Sequence, residues 1–497
     1  MNSSRSSNST QNARRTLLSL LLIAILSTVY VANLDGWLIQ DDEGTDLYEI
    51  WRISEGDRPG VDLVTEQPPV FLLAGVGLGR LSSFDITLLR GGSVILILGS
   101  AFLISLLGRE IWRWEAGLSA TTIYMLNHLV HDQGRLFRPD PWMLAFSVLG
   151  LYLFVLAQKR ERRLLFALSG AAYGVAMLCK LFAVLPLGGC FLALAYGAVS
   201  ERRRWWNSLV NAFHMLVPFL LVSLVGMLAF YPPGSAYYSA VLGQHWRLGS
   251  QQGLLYRLTK GLVHLAGFLL QNLSFIFAIP VVHHLGTSEK AGERALAWQL
   301  PTGIAYLALS RPLYGRYWLY LVPVLSLILG WLIDRALRWI RPRVGPKAPV
   351  VTHVVGIVLV TLMVAQSAPV ILRQARRQEH DTLRLAAFIT AHTERDERVL
   401  TDYAGLNFYA RRRSIPRASI IAGGRISGGF VTGAGLISQI ETEDVQMVLL
   451  HVSGGDPPPH HLINLNDFDR FYAYLNEHFR LTGTYDRAGQ VFEIYRR

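Results

Sequence analysis

The stretch Thr16–Gly44, TLLSLLLIAILSTVYVANLDGWLIQDDEG, joins an uncharged apolar run to the acidic cluster Asp41-Asp42-Glu43. From Thr16 to Leu34 the run approaches the roughly twenty residues needed to cross about 30 Å of hydrocarbon. No small-residue cleavage site follows it, so it reads as a retained anchor and not as a removed signal peptide. The carboxylates come directly after it, where a side chain can reach a head group at the membrane surface. They stand out in a chain whose formal net charge is +12.

Working outward from that run, the chain repeats the pattern. At 51% hydrophobic, only 16% charged and a mean hydropathy of +0.31, it reads as a polytopic membrane protein. We read eleven apolar crossings: Thr16 to Leu34, Ile86 to Leu107, Ala116 to His131, Trp142 to Ala157, Leu164 to Cys179, Leu181 to Val199, Leu209 to Tyr231, Leu262 to Val282, Leu296 to Leu309, Tyr317 to Ile333 and Val350 to Val370. The basic residues fall in short clusters between these runs, which excludes a nucleic-acid-binding surface as their main purpose. The clusters at Arg14-Arg15, Arg109 with Arg113, Lys159 to Arg163, Arg202 to Arg204 and Arg335 to Lys347 alternate with less basic loops. By the positive-inside rule the amino terminus is cytoplasmic.

The run Pro68 to Arg80 is too short for an ordinary span and reads as a re-entrant or interfacial helix. The outer face then receives the loop 35–85, His131 to Asp140, Pro232 to Lys260, Arg311 to Arg316 and everything after Ala368. Residues 1–383 form the membrane domain and residues 384–497 a water-soluble α/β module. In the latter, Arg398 to Asp402, Val445 to Val452 and Val491 to Tyr495 are strand-like and Asn466 to Phe479 helix-like. Gly423 to Gly435 lacks the spacing of a dinucleotide site and reads as a flexible loop. Pro457-Pro458-Pro459-His460-His461 reads as a rigid turn. Cys179 and Cys190 both lie in apolar segments, which argues against a disulfide framework or a thiolate zinc site.

The loop 35–85 carries eleven carboxylates against three arginines, a balance opposite to that of the whole chain. Most of them, including Glu49, Glu55 and Asp57, read as a solvated acidic surface. Two subsets differ: Asp41-Asp42-Glu43 beside the first crossing, and Glu66-Gln67-Pro68-Pro69, whose prolines fix how the chain turns into the next apolar segment.

Together these residues resemble a GT-C glycosyltransferase of the dolichyl-phosphate-mannose protein mannosyltransferase and aminoarabinose transferase type. The resemblance is carried by D-D-E-G-x-x-L-Y-x-x-W-R from Asp41 to Arg52, G-D-R-P-G-V-D from Gly56 to Asp62, and E-Q-P-P from Glu66 to Pro69. It continues through Arg138-Pro139-Asp140 and through Arg316-Tyr317 leading into Leu321-Val322-Pro323. The likeness implies that Asp42 matches the catalytic aspartate and that Glu43 and Glu66 match acidic partners shaping the site. Asp41 can also take the position given to Asp42. Relatives commonly place Lys or His before the two prolines, whereas Gln67 is neutral, which leaves its contact with phosphate or acceptor open.

The implied reaction transfers a sugar from a polyprenyl-phosphate carrier to a hydroxyl of a protein, lipid or glycan on the extracytoplasmic side of the cell membrane. Phosphate leaves with little need of protonation, so one base, Asp42, suffices to take the acceptor proton, with inversion at the anomeric carbon. Cations must hold the phosphate as charge grows. The outer-side candidates are Arg138 beside Asp140, Arg316 before Tyr317, and His245, Arg247 and Lys260. No cofactor is required, and dependence on a divalent cation is left open. The rival from another class is a transporter or flippase of a lipid-linked or anionic substrate. Against it, no two halves repeat, and charge gathers at one membrane face instead of the midplane. A second rival is a polysaccharide polymerase or ligase with a diphosphate donor.

Overall fold

The computed structural model describes all residues except 1, 37–40, 201–204, 244–252, 310–313, 345–347, 377–379, 455–460 and 488, and within helices and strands it omits further side chains, that of Asp41 among them. The chain begins with ten helices: α1 (Asn2–Val31), α2 (Asp41–Ser54), α3 (Pro69–Leu81), α4 (Ile86–Ile111), α5 (Trp114–Leu126), α6 (His128–Gly134), α7 (Pro139–Arg160), α8 (Arg163–Cys179), α9 (Val184–Ser200) and α10 (Trp205–Phe230). It divides into two compact units. Residues 1–34, 90–226 and 254–375 form the first; residues 35–89, 227–253 and 376–497 form the second.

The first unit is helical. Every one of the eleven apolar runs overlaps helix, but among the described residues six helices are long and apolar enough to cross a membrane, or seven if Leu254–Gln271 and Leu273–Gly286, bent by 113°, count as one span. Three of the remaining runs fall short in length or polarity. α5 has 13 residues and α8 has 17, short of an ordinary span, and the helix Ala291–Leu309 carries Glu293 and Arg294 in its first turn. Helix packing depends on small residues, as expected where lipid competes with side chains for apolar contact. At Gly170 of α8 a Cβ would fall 1.9 Å from the Met215 carbonyl oxygen of α10, so only glycine permits this approach. Outward, α10 leaves Phe213, Leu221 and Val225 about 60% exposed, a surface that suits acyl chains.

The carboxy-terminal end of α1 is held by arginines. In the turn just past Val31, Arg90 donates to the Leu34 carbonyl and Arg135 to the Ala32 carbonyl. Both guanidiniums are almost fully buried. Their charge also complements the negative end of the helix dipole.

The second unit contains a four-stranded sheet in the order β1 (Arg398–Thr401), β2 (Val445–Gly454), β4 (Gln490–Arg496), β3 (Arg480–Arg487). β1 and β2 run parallel, with helices crossing between them; β4 is antiparallel to both β2 and β3. Three strands and the helix Phe468–His478 fall where the apolar pattern predicts them. Strand β3 was not anticipated: most of it is exposed, so it lacks the alternation that marks a half-buried strand. The glycine-rich Gly423 to Gly435 is not a loop throughout. It contains the helix Gly423–Ser427 and the start of Gly433–Thr442. The second of these is nucleated by side chains that take its first amides: Thr432 accepts from Gly435 N, and the Asp467 carboxylate from Gly433 N and Ala434 N at 2.7 and 2.9 Å. Pro457 to His460 lie outside the described residues.

Candidate active site

Asp41, Asp42 and Glu43 open helix α2, where carboxylates favour the positive end of the helix dipole. Asp42, Asp46 and Glu49 are spaced four and three residues apart and so share one stripe. Asp42 is half-buried, while Glu43, Asp46 and Glu49 are buried. The apolar side of α2, with Tyr48, Ile50 and Trp51 buried, packs on the helix Ala404–Ala410. There the Tyr48 hydroxyl accepts from Ser414 N at 2.8 Å, and burial pushes its pKa up to about 12.

Glu49 is not the solvated carboxylate expected of the acidic loop. Its Oε2 accepts a 2.7 Å hydrogen bond from the Thr65 hydroxyl, which in turn accepts from Gln67 N at 3.1 Å. Burial first, and the neighbouring Asp46 charge second, hold its pKa well above the usual carboxylate range. Its Oε1 and the hydroxyl oxygens of Tyr237 and Ser235 are buried without a hydrogen-bond partner among the described residues.

Glu66, a quarter exposed, pairs with the buried Arg425 at 3.4 Å. The contribution of Gln67 comes from its main chain: its carbonyl accepts from the Tyr231 hydroxyl at 2.8 Å. Tyr231 and Tyr237 stack with centroids 3.9 Å apart and 11° between planes. The strand-like segment before Glu66 reaches them through a turn at Gly60, whose φ of +75° favours glycine and whose carbonyl accepts from Ala236 N.

A second cluster belongs to the first unit. Pro139 occupies the first position of α7, which suits its missing N–H, and Asp140 sits in the first turn. Asp140 Oδ1 accepts from Lys180 Nζ at 2.8 Å and from the Tyr320 hydroxyl at 2.6 Å, while Arg138 Nε lies 3.9 Å from Oδ2. Lys180 occupies the break between α8 and the short turn Leu181–Ala183, in extended conformation. Its ammonium lies 5.3 Å from the centre of the Tyr317 ring, and the Arg316 guanidinium lies 4.4 Å from that of Tyr314 and 5.7 Å from that of Tyr317.

Of the residues singled out from sequence, Arg138, Asp140, Arg316 and Tyr317 therefore come together in one unit, and Asp42, Glu43, Glu66 and Gln67 share the other. Lys260 is exposed and lies against Tyr256 of its own helix. His245, Arg247 and the Asp41 side chain lie outside the described residues. Sequence reasoning does not place Lys180 or Tyr320 at this cluster. It also missed Arg425 within the glycine-rich stretch, and the burial of Glu49. A lysine beside a helix break, forty residues from the Arg-Pro-Asp motif, was the available signal for Lys180. Among the described residues no group of three or more His, Cys, Asp or Glu side chains is arranged to hold a metal ion.

Comparison with known proteins adds the following. Residues 66–233 match the dolichyl-phosphate-mannose-protein mannosyltransferase family. No curated protein matches the chain by sequence. The crystal structure of ArnT from Cupriavidus metallidurans bound to undecaprenyl phosphate is similar with a TM-score of 0.67 and 14% identity, over 96% of this chain and 98% of that one. The archaeal oligosaccharyltransferase AglB from Archaeoglobus fulgidus, in complex with an inhibitory peptide and a dolichol-phosphate, is similar with a TM-score of 0.57 and 12% identity, over 88% of this chain and 69% of that one. The resemblance to GT-C glycosyltransferases is thus found both in sequence, over part of the chain, and in fold, over nearly all of it.

Proposed function

We propose that this chain, with the fold of GT-C glycosyltransferases, transfers a sugar from a polyprenyl-phosphate carrier to a hydroxyl acceptor outside the cytoplasm. The undecaprenyl phosphate held by ArnT and the dolichol-phosphate held by AglB support this class of donor lipid. The observation that carries the reading is the contrast along α2: Asp42, which follows the first apolar helix, is partly exposed, whereas Glu43, Asp46 and Glu49 are buried. An accessible carboxylate is what proton removal from an incoming hydroxyl requires.

In the proposed step, Asp42 takes the acceptor proton as the acceptor oxygen bonds to the anomeric carbon. The bond from that carbon to the phosphate oxygen breaks, its electron pair leaves with the phosphate, and configuration inverts. Glu43 and Glu66 shape the acidic side. Positive charge for the phosphate is assigned to Arg138, Lys180 and Arg316, in a setting where fixed charge acts more strongly than in water. The eleven-crossing topology, the cytoplasmic amino terminus, the extracytoplasmic 384–497 module and residence in the plasma membrane belong to the same proposal.

The test is turnover of a panel of polyprenyl-phosphate sugars by wild type and Asp42→Asn. The substitution should lower the rate at least about a hundredfold, the lower end for general base catalysis, with expression intact. Near-normal turnover would remove Asp42 from the role, and movement of a lipid-linked substrate without bond cleavage would favour a transporter.

A further inference from the structure

A cavity of about 670 Å³, within the roughly 300–1,000 Å³ usual for small-molecule sites, opens in the first unit far from Asp140. α7 carries Asp140 in its first turn and contributes Ala157 to Lys159 to the cavity from its last, about 28 Å further along the axis. Helix ends make its wall: α4 brings Glu110 and Ile111, α8 brings Arg163, and α10 brings Asn207, Ser208, Val210 and Asn211. Part of the lining is apolar, with Val155, Phe166 and Leu194, and the rest mixes charges of both signs, Lys159, Arg163, Lys290 and Arg294 with Glu110, Glu161 and Glu289; Lys159 pairs with Glu110 at 2.9 Å and Lys290 with Glu293 at 3.1 Å.

Two features make this a built site. Arg294 is buried and fixed by donation to the Ser288 and Glu289 carbonyls at 2.9 and 3.0 Å. Gly197 of α9 lies directly against it, since a Cβ there would come within 2.9 Å of Arg294 Nη2. The depth of the cavity follows from α10, whose first residues Trp205 and Trp206 are 52% and 63% exposed. Exposed tryptophans at the end of an apolar helix mark the level of lipid head groups. Leu209, Phe213, Leu216 and Leu220 form an exposed apolar stripe on the opposite side of the same helix, which places that length of α10 against lipid.

We propose that this cavity binds the head group of a glycerophospholipid bearing both a phosphate and a primary ammonium. The phosphate meets Arg163, Lys290 and Arg294; the ammonium donates to Glu161, Glu289 and the Asn211 carboxamide. Basic pockets between membrane helices suit lipid phosphates, but the interleaved carboxylates here disfavour a purely anionic head group. A trimethylated amine has no N–H to donate. The proposal is independent of the transferase reading.

The full chain is purified, exchanged into vesicles of dioleoyl phosphatidylcholine doped with dioleoyl phosphatidylethanolamine or phosphatidylglycerol, and the retained lipid is measured by native mass spectrometry. Phosphatidylethanolamine should be retained about tenfold over either other lipid, and Arg163→Glu with Lys290→Glu should abolish that preference. Thermal melting in detergent reports whether the double variant folds; if it does not, Asn211→Leu is read in its place and should weaken the preference. Equal retention of phosphatidylglycerol, or variants that fold and keep the wild-type preference, would overturn the proposal.

Discussion

Glu49 and Asp140 are both buried carboxylates, one in each unit, and their surroundings treat them in opposite ways. Asp140 receives a lysine, a tyrosine hydroxyl and, at longer range, an arginine, so its charge is balanced on the spot. Glu49 receives one threonine hydroxyl and faces further acids, so its pKa is held well above the usual carboxylate range. Burial of a carboxylate therefore does not determine its state. The nearest partner does, because an opposite charge within hydrogen-bonding distance offsets desolvation and a like charge adds to it.

The sharpest way to break this contrast is at Lys180. Lys180→Met should leave Asp140 buried without its closest cation and cost about 3–5 kcal/mol, read as a drop in melting temperature. Pairing it with Asp140→Asn should restore most of that loss; a single variant as stable as wild type would mean that the ion pair contributes nothing. A smaller effect is expected at the wall beside Glu49. Tyr231→Phe removes the hydroxyl that donates to the Gln67 carbonyl, for about 1 kcal/mol by chemical or thermal unfolding.

The smallest effect at acid pH, and the most telling, is Glu49→Gln. The unfolded chain ionises Glu49 near about 4.3, whereas the folded chain holds the proton to higher pH. Folding therefore binds a proton above about 4.3, and wild-type stability falls as pH rises from there through the folded pKa. The glutamine variant should match wild type within about 0.5 kcal/mol at acid pH and become the more stable of the two as pH rises. Melting curves across that range test it; an unchanged pH slope would mean that Glu49 is ionised in the folded chain.

What the sequence makes legible are features that repeat locally. Long apolar runs predict α1, α4 and α10, and alternation predicts β2 and β4, since both periods are written into neighbouring residues. The acidic start of α2 is legible for the same reason, as is the Arg138-Pro139-Asp140 start of α7. Partners from distant segments are not. Thr65 reaching Glu49, Arg425 reaching Glu66 and Lys180 reaching Asp140 are set by packing, which no local period reports. The glycine-rich helix was misread because its stabilising carboxylate, Asp467, lies more than thirty residues downstream.

Arginines clamp the end of α1, so the chain emerges from it in one direction, but the unit it then enters is assembled from pieces far apart in order of synthesis. Tyr48 waits 366 residues for Ser414, which at typical translation speeds is roughly twenty to seventy seconds. During that interval the face of α2 that later packs on 404–410 has no native cover. Nascent chains stalled before residue 400 should accordingly display this surface to chaperones, and release should end the exposure.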